Sequence, residues 1–260
     1  MEAPVSDRAT DPALPRARVR PLRWWRELVI TVGLYVIYTM ARNASEGSTA
    51  LALEHAREIM RWQAMVGLNF EESLQDWALH FKPLVVVLNY VYGSLHFLVT
   101  GGVVVFLFRR HAGVYRRWRN TLAATTGLGL VGFITWPLMP PRLLPASYGF
   151  VDTLARYPTL WSFDSGALQD ISNQYAAMPS LHFAWALFCA CALRPRLHHP
   201  LARVAATAYP PVTLAAIVLT GNHFILDAVG GAAVLGIGYL LARHFTPVEG
   251  VRGALTATAH

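Results

Sequence analysis

The chain has 260 residues, of which 54% are apolar and 14% charged, and its net charge is +7. Soluble domains average about 25% charged residues, and here the few charges cluster between long apolar runs, which excludes one soluble core and indicates several membrane spans. The basic excess does not indicate nucleic acid, because the arginines flank apolar runs and Lys82 is the one lysine among the 22 basic residues.

Residues 1–21 are polar and rich in Pro and Arg, and read as a disordered basic tail. The first apolar run, residues 28–41, is short for a span. Trp24 and Trp25 anchor it at an interface, and Arg26 and Glu27 reach back to water. The alternative is a signal segment cut near Thr39-Met40-Ala41, but the long basic lead-in favours a retained anchor. Residues 46–79 differ. Leu51, His55, Glu58 and Trp62 recur at helical spacing and charges interrupt each apolar stretch, as in amphipathic helices on a membrane surface or a small extramembrane cap.

Five stronger runs follow, at residues 84–108, 122–138, 178–193, 204–219 and 224–242. Pro137, Pro140 and Pro141 end the second, and Pro210 and Pro211 predict a kink in the fourth. Gly230, Gly231, Gly236 and Gly238 in the last allow close helix contact. Cys189 and Cys191 lie inside the third run and read as small apolar fillers. The expected fold is therefore all-α: a polytopic membrane protein of about six transmembrane helices with an extracytoplasmic amphipathic cap. Residues 22–245 form one membrane-embedded domain between the first tail and a second at 246–260.

With the N-terminus inside, 16 of the 22 basic residues fall on the cytoplasmic side, a positive-inside pattern. It places residues 140–177 outside, with His182, His223 and Asp227 near the same outer face. The expected location is the plasma membrane, with an extracytoplasmic site, the bilayer as partner and no nucleic acid.

Two stretches hold the chemistry. In Gly221-Asn222-His223-Phe224-Ile225-Leu226-Asp227, His223 and Asp227 are four apart and share a helix face. The carboxylate can then fix the imidazole tautomer and stabilise positive charge on the ring. A structural or capping Asp–His pair is the plainer alternative. In Met178-Pro179-Ser180-Leu181-His182, Pro179 suits a first helical turn, Ser180 would expose hydroxyl and N–H groups as an anion site, and His182 follows one turn in. Zinc is a minor possibility for such a group of residues; no metal-ligand spacing is evident, and no cofactor or metal is expected. Tyr92 and His96, four apart in residues 84–108, would line a polar cavity or bond between helices. Trp62, Trp77 and Trp161 read as interfacial anchors.

Together, Pro179-Ser180-Leu181-His182 and His223 through Asp227 resemble the second and third signatures of the type 2 phosphatidic acid phosphatase superfamily, Pro-Ser-x-His and His-x-x-x-Asp. The resemblance covers residues 84–242. The fuller forms, with Pro140-Pro141-Arg142, look like the branch of inositol phosphorylceramide synthases and their bacterial relatives. The resemblance implies that His223 attacks phosphorus, Asp227 orients and charge-stabilises it, and His182 protonates the leaving oxygen and then activates the acceptor. The substrate it implies is a lipid phosphate or phospholipid headgroup.

Two departures stand out. The superfamily's first motif, a Lys followed after six residues by Arg-Pro, is absent, and the arginine usual six residues before the third-motif histidine is Ile217 here. Arg142 is the candidate replacement phosphate clamp, since a guanidinium suits tetrahedral oxygens; Arg42 and Lys82 are weaker ones, and Ser180, Asn222, Tyr92 and His96 complete the candidate substrate contacts. An inositolphosphotransferase-like lipid phosphotransferase is the first functional expectation, a lipid-phosphate phosphatase using water the second, and a non-enzymatic lipid transporter the third.

Overall fold

A computed structural model describes residues 23–44, 48–157 and 174–246, with the side chains of residues 34, 35, 37, 38 and 41–44 left out. The first expected tail, Trp161 and all of the second expected tail but Thr246 therefore lie outside the described residues, as does the side chain of Arg42. The described chain is helical, and its extended pairing is a single isolated bridge between Leu138 and Ala176.

The helices are α1 (Trp24–Ala44), α2 (Thr49–Met65), α3 (Glu71–Leu79), α4 (Lys82–Tyr90), α5 (His96–Arg110), α6 (Ala112–Thr135), the single turn α7 (Thr153–Arg156), α8 (Leu181–Leu193), α9 (Pro200–Leu219) and α10 (Ile225–Phe245). A π-turn, Val91–Leu95, joins α4 and α5 into one 29-residue rod. That rod, α9 and α10 are long and apolar enough to cross a membrane, as expected of an integral membrane protein. α9 stays helical through Pro210 and Pro211. α8 has 13 residues, about 20 Å at 1.5 Å per residue, against an apolar bilayer core of about 30 Å. Arg116, Arg117 and Arg119 lie within the first turns of α6.

Small residues let the helices of the bundle approach one another. A Cβ on Gly231 would meet the Ser180 carbonyl oxygen at 2.3 Å, and one on Gly238 would meet the Thr125 hydroxyl at 2.5 Å. α10 is therefore pressed against α8 at one end and α6 along its length. Of the expected contact glycines, a Cβ on Gly236 would meet nothing within 4 Å among the described residues. At the end holding the start of α6 and the end of α10, Glu27 accepts from Arg119 at 2.6 Å and Tyr115 at 3.1 Å. Asn120 bonds Thr246 there at 2.7 Å.

The opposite end gathers the end of α6 and α9 with the starts of α8 and α10, and α2 and α3 cover it. In α2 the buried stripe is Ala52, His55, Ala56, Ile59 and Gln63, whereas Leu51 and Trp62 are exposed. Ala52, Ala56 and Ile59 pack on Leu138, Met139, Leu144 and Phe224, while His55 stacks on Trp136 and bonds the Pro137 carbonyl. The residues that seat the cap are thus small, apolar or hydrogen-bonded, as burial requires.

Candidate active site

The site is assembled where α9 turns into α10. Gly221 makes that turn with φ of +69°, a conformation open to glycine at little cost. A side chain there would also run into Gln75 at 2.5 Å. The following residues fold back on the end of α9: Asn222 and His223 both donate their N–H groups to the Ile217 carbonyl. Thus the position that holds arginine in the superfamily pattern holds here a fully buried Ile217 whose backbone shapes the turn. Thr220 donates to Ala216 and accepts from the Asn222 amide at 2.7 Å, which leaves the Asn222 Oδ1 buried without a partner among the described residues.

Asp227 lies in the first turn of α10 with no exposed surface. Its Oδ2 accepts the Phe224 N–H at 2.9 Å and faces the His223 Nδ1 at 3.3 Å. These two partners offset the cost of burying the charge at Oδ2, while Oδ1 is buried with no partner among the described residues. With Nδ1–H turned to Asp227, the His223 Nε2 is left as the free lone pair, and it lies 3.4 Å from the His182 Nδ1. Histidines 41 residues apart in sequence thus face each other, with the carboxylate behind one of them.

His182 comes from the first turn of α8. Its ring stacks on Tyr92 at 4.3 Å and 24°, and meets His96 edge-on at 4.3 Å. Tyr92 belongs to the π-turn of the α4–α5 rod, a distortion often found at functional sites. The expected group of Tyr92, His96, His182, His223 and Asp227 is therefore brought together. His96 also bonds the Tyr92 carbonyl at 2.9 Å, which fixes both against the turn. His223 is 4% exposed and His182 half-buried, so access to the pair is from the His182 side.

Ser180 differs from its expected place. α8 starts at Leu181 and Ser180 is its N-cap, accepting from Phe183 at 3.4 Å; Pro179 precedes the helix instead of opening it. Ser180 is fully buried and donates its N–H to the Asp227 carbonyl at 2.8 Å. It is a rivet between α8 and α10 and not an open anion site, because the close approach at Gly231 leaves no room for solvent.

Arg142 sits in the 3₁₀ turn Pro141–Leu143. Its N–H donates to the Gly221 carbonyl at 2.7 Å, next to the motif, and its guanidinium pairs with Asp152 at 2.7 Å. Asp152 also caps α7, so the arginine is tied down on both sides. Lys82 lies over the Tyr157 ring at 5.7 Å. Around them, Thr153 donates to Asn89 and to the Thr220 carbonyl, while Gln75 brackets the Val151 backbone with two bonds. The segment at 140–157 is thereby bound to the turn at 220–223.

Sequence reading missed one pair of residues. Glu71 Oε1 accepts the Ile225 N–H at 2.8 Å and Gln63 Oε1 accepts the Leu226 N–H at 3.0 Å. Gln63 in turn donates to Glu71 Oε2 at 2.6 Å. Two residues of the cap thus satisfy the first amides of α10, which would otherwise lack partners. Burial, with a smaller push from Asp227, raises the Glu71 pKa to about 7. The available signal was weak: polar residues in amphipathic stretches ordinarily face water.

Among the described residues no group of three His, Cys, Asp or Glu is arranged to hold a metal ion. Comparison with curated proteins and with solved structures finds no match. The family profile described as the PAP2 superfamily matches residues 57–241. That stretch includes both histidine motifs and begins within the cap, and the chain belongs to the PAP2 superfamily.

Proposed function

We propose that the chain is an integral-membrane lipid phosphotransferase working through a phosphohistidine on His223. Family membership supports a lipid phosphatase or phosphotransferase. The observation that carries the finer reading is the facing of His223 Nε2 and His182 Nδ1 at 3.4 Å, with Asp227 behind the first ring.

In the first half-reaction the His223 Nε2 lone pair forms a bond to phosphorus. The phosphorus–oxygen bond of the leaving group breaks, and His182 gives that oxygen its proton. The Asp227 carboxylate offsets the positive charge gained by the ring. In the second, His182 takes the proton of an acceptor hydroxyl, whose oxygen displaces the Nε2 from phosphorus. At 3.4 Å the two rings leave no space for a phosphoryl group between them, so substrate entry must move His182 outward along the Tyr92 ring. Arg142, bonded through its backbone to Gly221, supplies the guanidinium for the non-bridging oxygens. Asn222 offers its Oδ1, unpaired among the described residues, to a hydroxyl of the substrate.

The chain crosses the membrane six times in this reading, by α1, the α4–α5 rod, α6, α9, α10 and α8, the last being too short alone and completed by the segments that flank it, the 3₁₀ turn Arg194–Arg196 among them. The site lies at the extracytoplasmic face under α2 and α3, and the N-terminus is cytoplasmic. The plasma membrane is the proposed location, with the single catalytic domain at residues 22–245. An amphiphilic substrate enters laterally from the bilayer. The arginines missing from the first and third motifs, with the Met-Pro-Ser-Leu-His form, favour an alcohol acceptor of the inositolphosphotransferase-like kind over water.

The test is release and transfer of headgroup from a panel of detergent-dispersed lipid phosphates, with and without added alcohols, for wild type and His223→Ala. Transfer to alcohol by wild type alone supports the reading. Release of phosphate that no alcohol diverts would make the enzyme a phosphatase. Lipid binding and movement with no chemistry in either protein would indicate a carrier.

A further inference from the structure

We infer that Gln63 and Glu71 of the cap are positioning residues for the catalytic pair, holding the start of α10 so that His223 faces His182. This inference rests on the phosphohistidine reading above. His223 and Asp227 bracket the three residues whose amides open α10, and each of those amides has a side-chain acceptor. Phe224 donates to Asp227, Ile225 to Glu71 and Leu226 to Gln63. The first acceptor is local. The other two come from 154 and 163 residues away, from the end of α2 and the start of α3. Both are buried, Glu71 at 4% and Gln63 at 1% exposed, so water does not substitute for them.

The bonds have a direction. Glu71 accepts on both oxygens, from Ile225 and from the Gln63 amide nitrogen, and Gln63 then has its carbonyl oxygen left for Leu226. That pattern needs one carboxylate and one amide. Two amides place nitrogen against nitrogen, and two carboxylates place oxygen against oxygen. Exchanging the two side chains restores all three bonds: Glu at 63 accepts from Leu226 and from Gln at 71, whose oxygen still accepts from Ile225. A negative charge at the N-terminus of α10 is favourable in either arrangement.

The test is a cycle of Glu71→Gln, Gln63→Glu and the double exchange in the full-length protein. kcat and KM are measured on whichever lipid phosphate wild type turns over, and amide exchange is followed at Ile225 and Leu226. Each single variant is expected to lower kcat by about tenfold to 10²-fold with KM little changed, as small misplacements of reacting groups do. Exchange at those amides should rise in the single variants, and the double exchange should recover kcat and protection together. Single variants with wild-type kcat overturn the positioning role while leaving His223 chemistry intact. So does a double exchange that regains amide protection but not kcat. Wild type as silent as His223→Ala overturns the phosphohistidine reading itself, and the positioning role with it. Should a single variant fail to accumulate, the double exchange carries the test, since its folding and activity must both return.

Discussion

Replacing Gly231 by alanine separates packing from chemistry at this site. The new Cβ lies 2.3 Å from the Ser180 carbonyl oxygen and 3.4 Å from the Ala184 nitrogen. Reaching even 3.0 Å requires α8 and α10 to part by about 0.7 Å against backbone that cannot rotate away. Two contacts span that seam: the 2.8 Å bond from Ser180 N–H to the Asp227 carbonyl, and the 3.4 Å approach of His182 to His223. The first would stretch past hydrogen-bonding length and the second would open. Alanine is the better helix former by about 1 kcal/mol, but overpacking costs about 1–3 kcal/mol. A net loss of stability of up to about 2 kcal/mol is therefore expected. A misplacement near 1 Å can cost about 10²-fold in rate. Gly236→Ala is the internal control, because no described residue lies within 4 Å of its added carbon and propensity alone acts there. The assay is kcat for lipid headgroup turnover together with the thermal midpoint in detergent. If Gly231→Ala matched Gly236→Ala in both, the close seam would not set the histidine geometry.

Asp227→Asn should keep the Phe224 bond and the ring position yet lose charge compensation, lowering kcat by about 10²–10⁴-fold with little change in expression. Arg142→Ala should weaken substrate binding, read as a raised KM, whereas Asp152→Asn should leave it near wild type. Equal losses would mean that the ion pair at 2.7 Å matters only for pinning the loop. Stability should fall as pH rises from about 4.5 to about 7, because folded Glu71 ionises, and completes its two-acceptor pattern, only near 7 while the unfolded chain loses the proton earlier. Asp227 is the charged group that acts on Glu71 from α10, with Gln63 its neutral neighbour from α2. Glu71→Gln should flatten that slope in chemical denaturation, and an unchanged slope would remove Glu71 as its source.

The motifs were legible because their spacing is local chemistry. His223 and Asp227 meet over one helical turn, and the Pro-Ser-x-His stretch marks a helix start whatever surrounds it. Long apolar runs likewise announced the α4–α5 rod, α9 and α10. What sequence could not give was the inner face of the cap. Gln63 and Glu71 have the same polarity as solvated residues on an amphipathic helix, and only their contacts with amides more than 150 residues away make them buried. Ser180 was misplaced for a related reason: an N-terminal serine caps its helix either open to solvent or closed, and Gly231 on another helix decides which. The Arg142–Asp152 pair joins residues ten apart, a separation at which opposite charges in one short segment are legible in the sequence.

The most direct test is to trap the covalent intermediate. Wild type, His223→Ala and His182→Ala are mixed with a lipid carrying labelled phosphorus and quenched in alkaline denaturant, which preserves phosphohistidine. The label should bind wild type transiently, persist longer in His182→Ala at a lower rate of formation, and be absent from His223→Ala. Turnover of the same lipid by His223→Ala, or label found on another residue, would contradict the account.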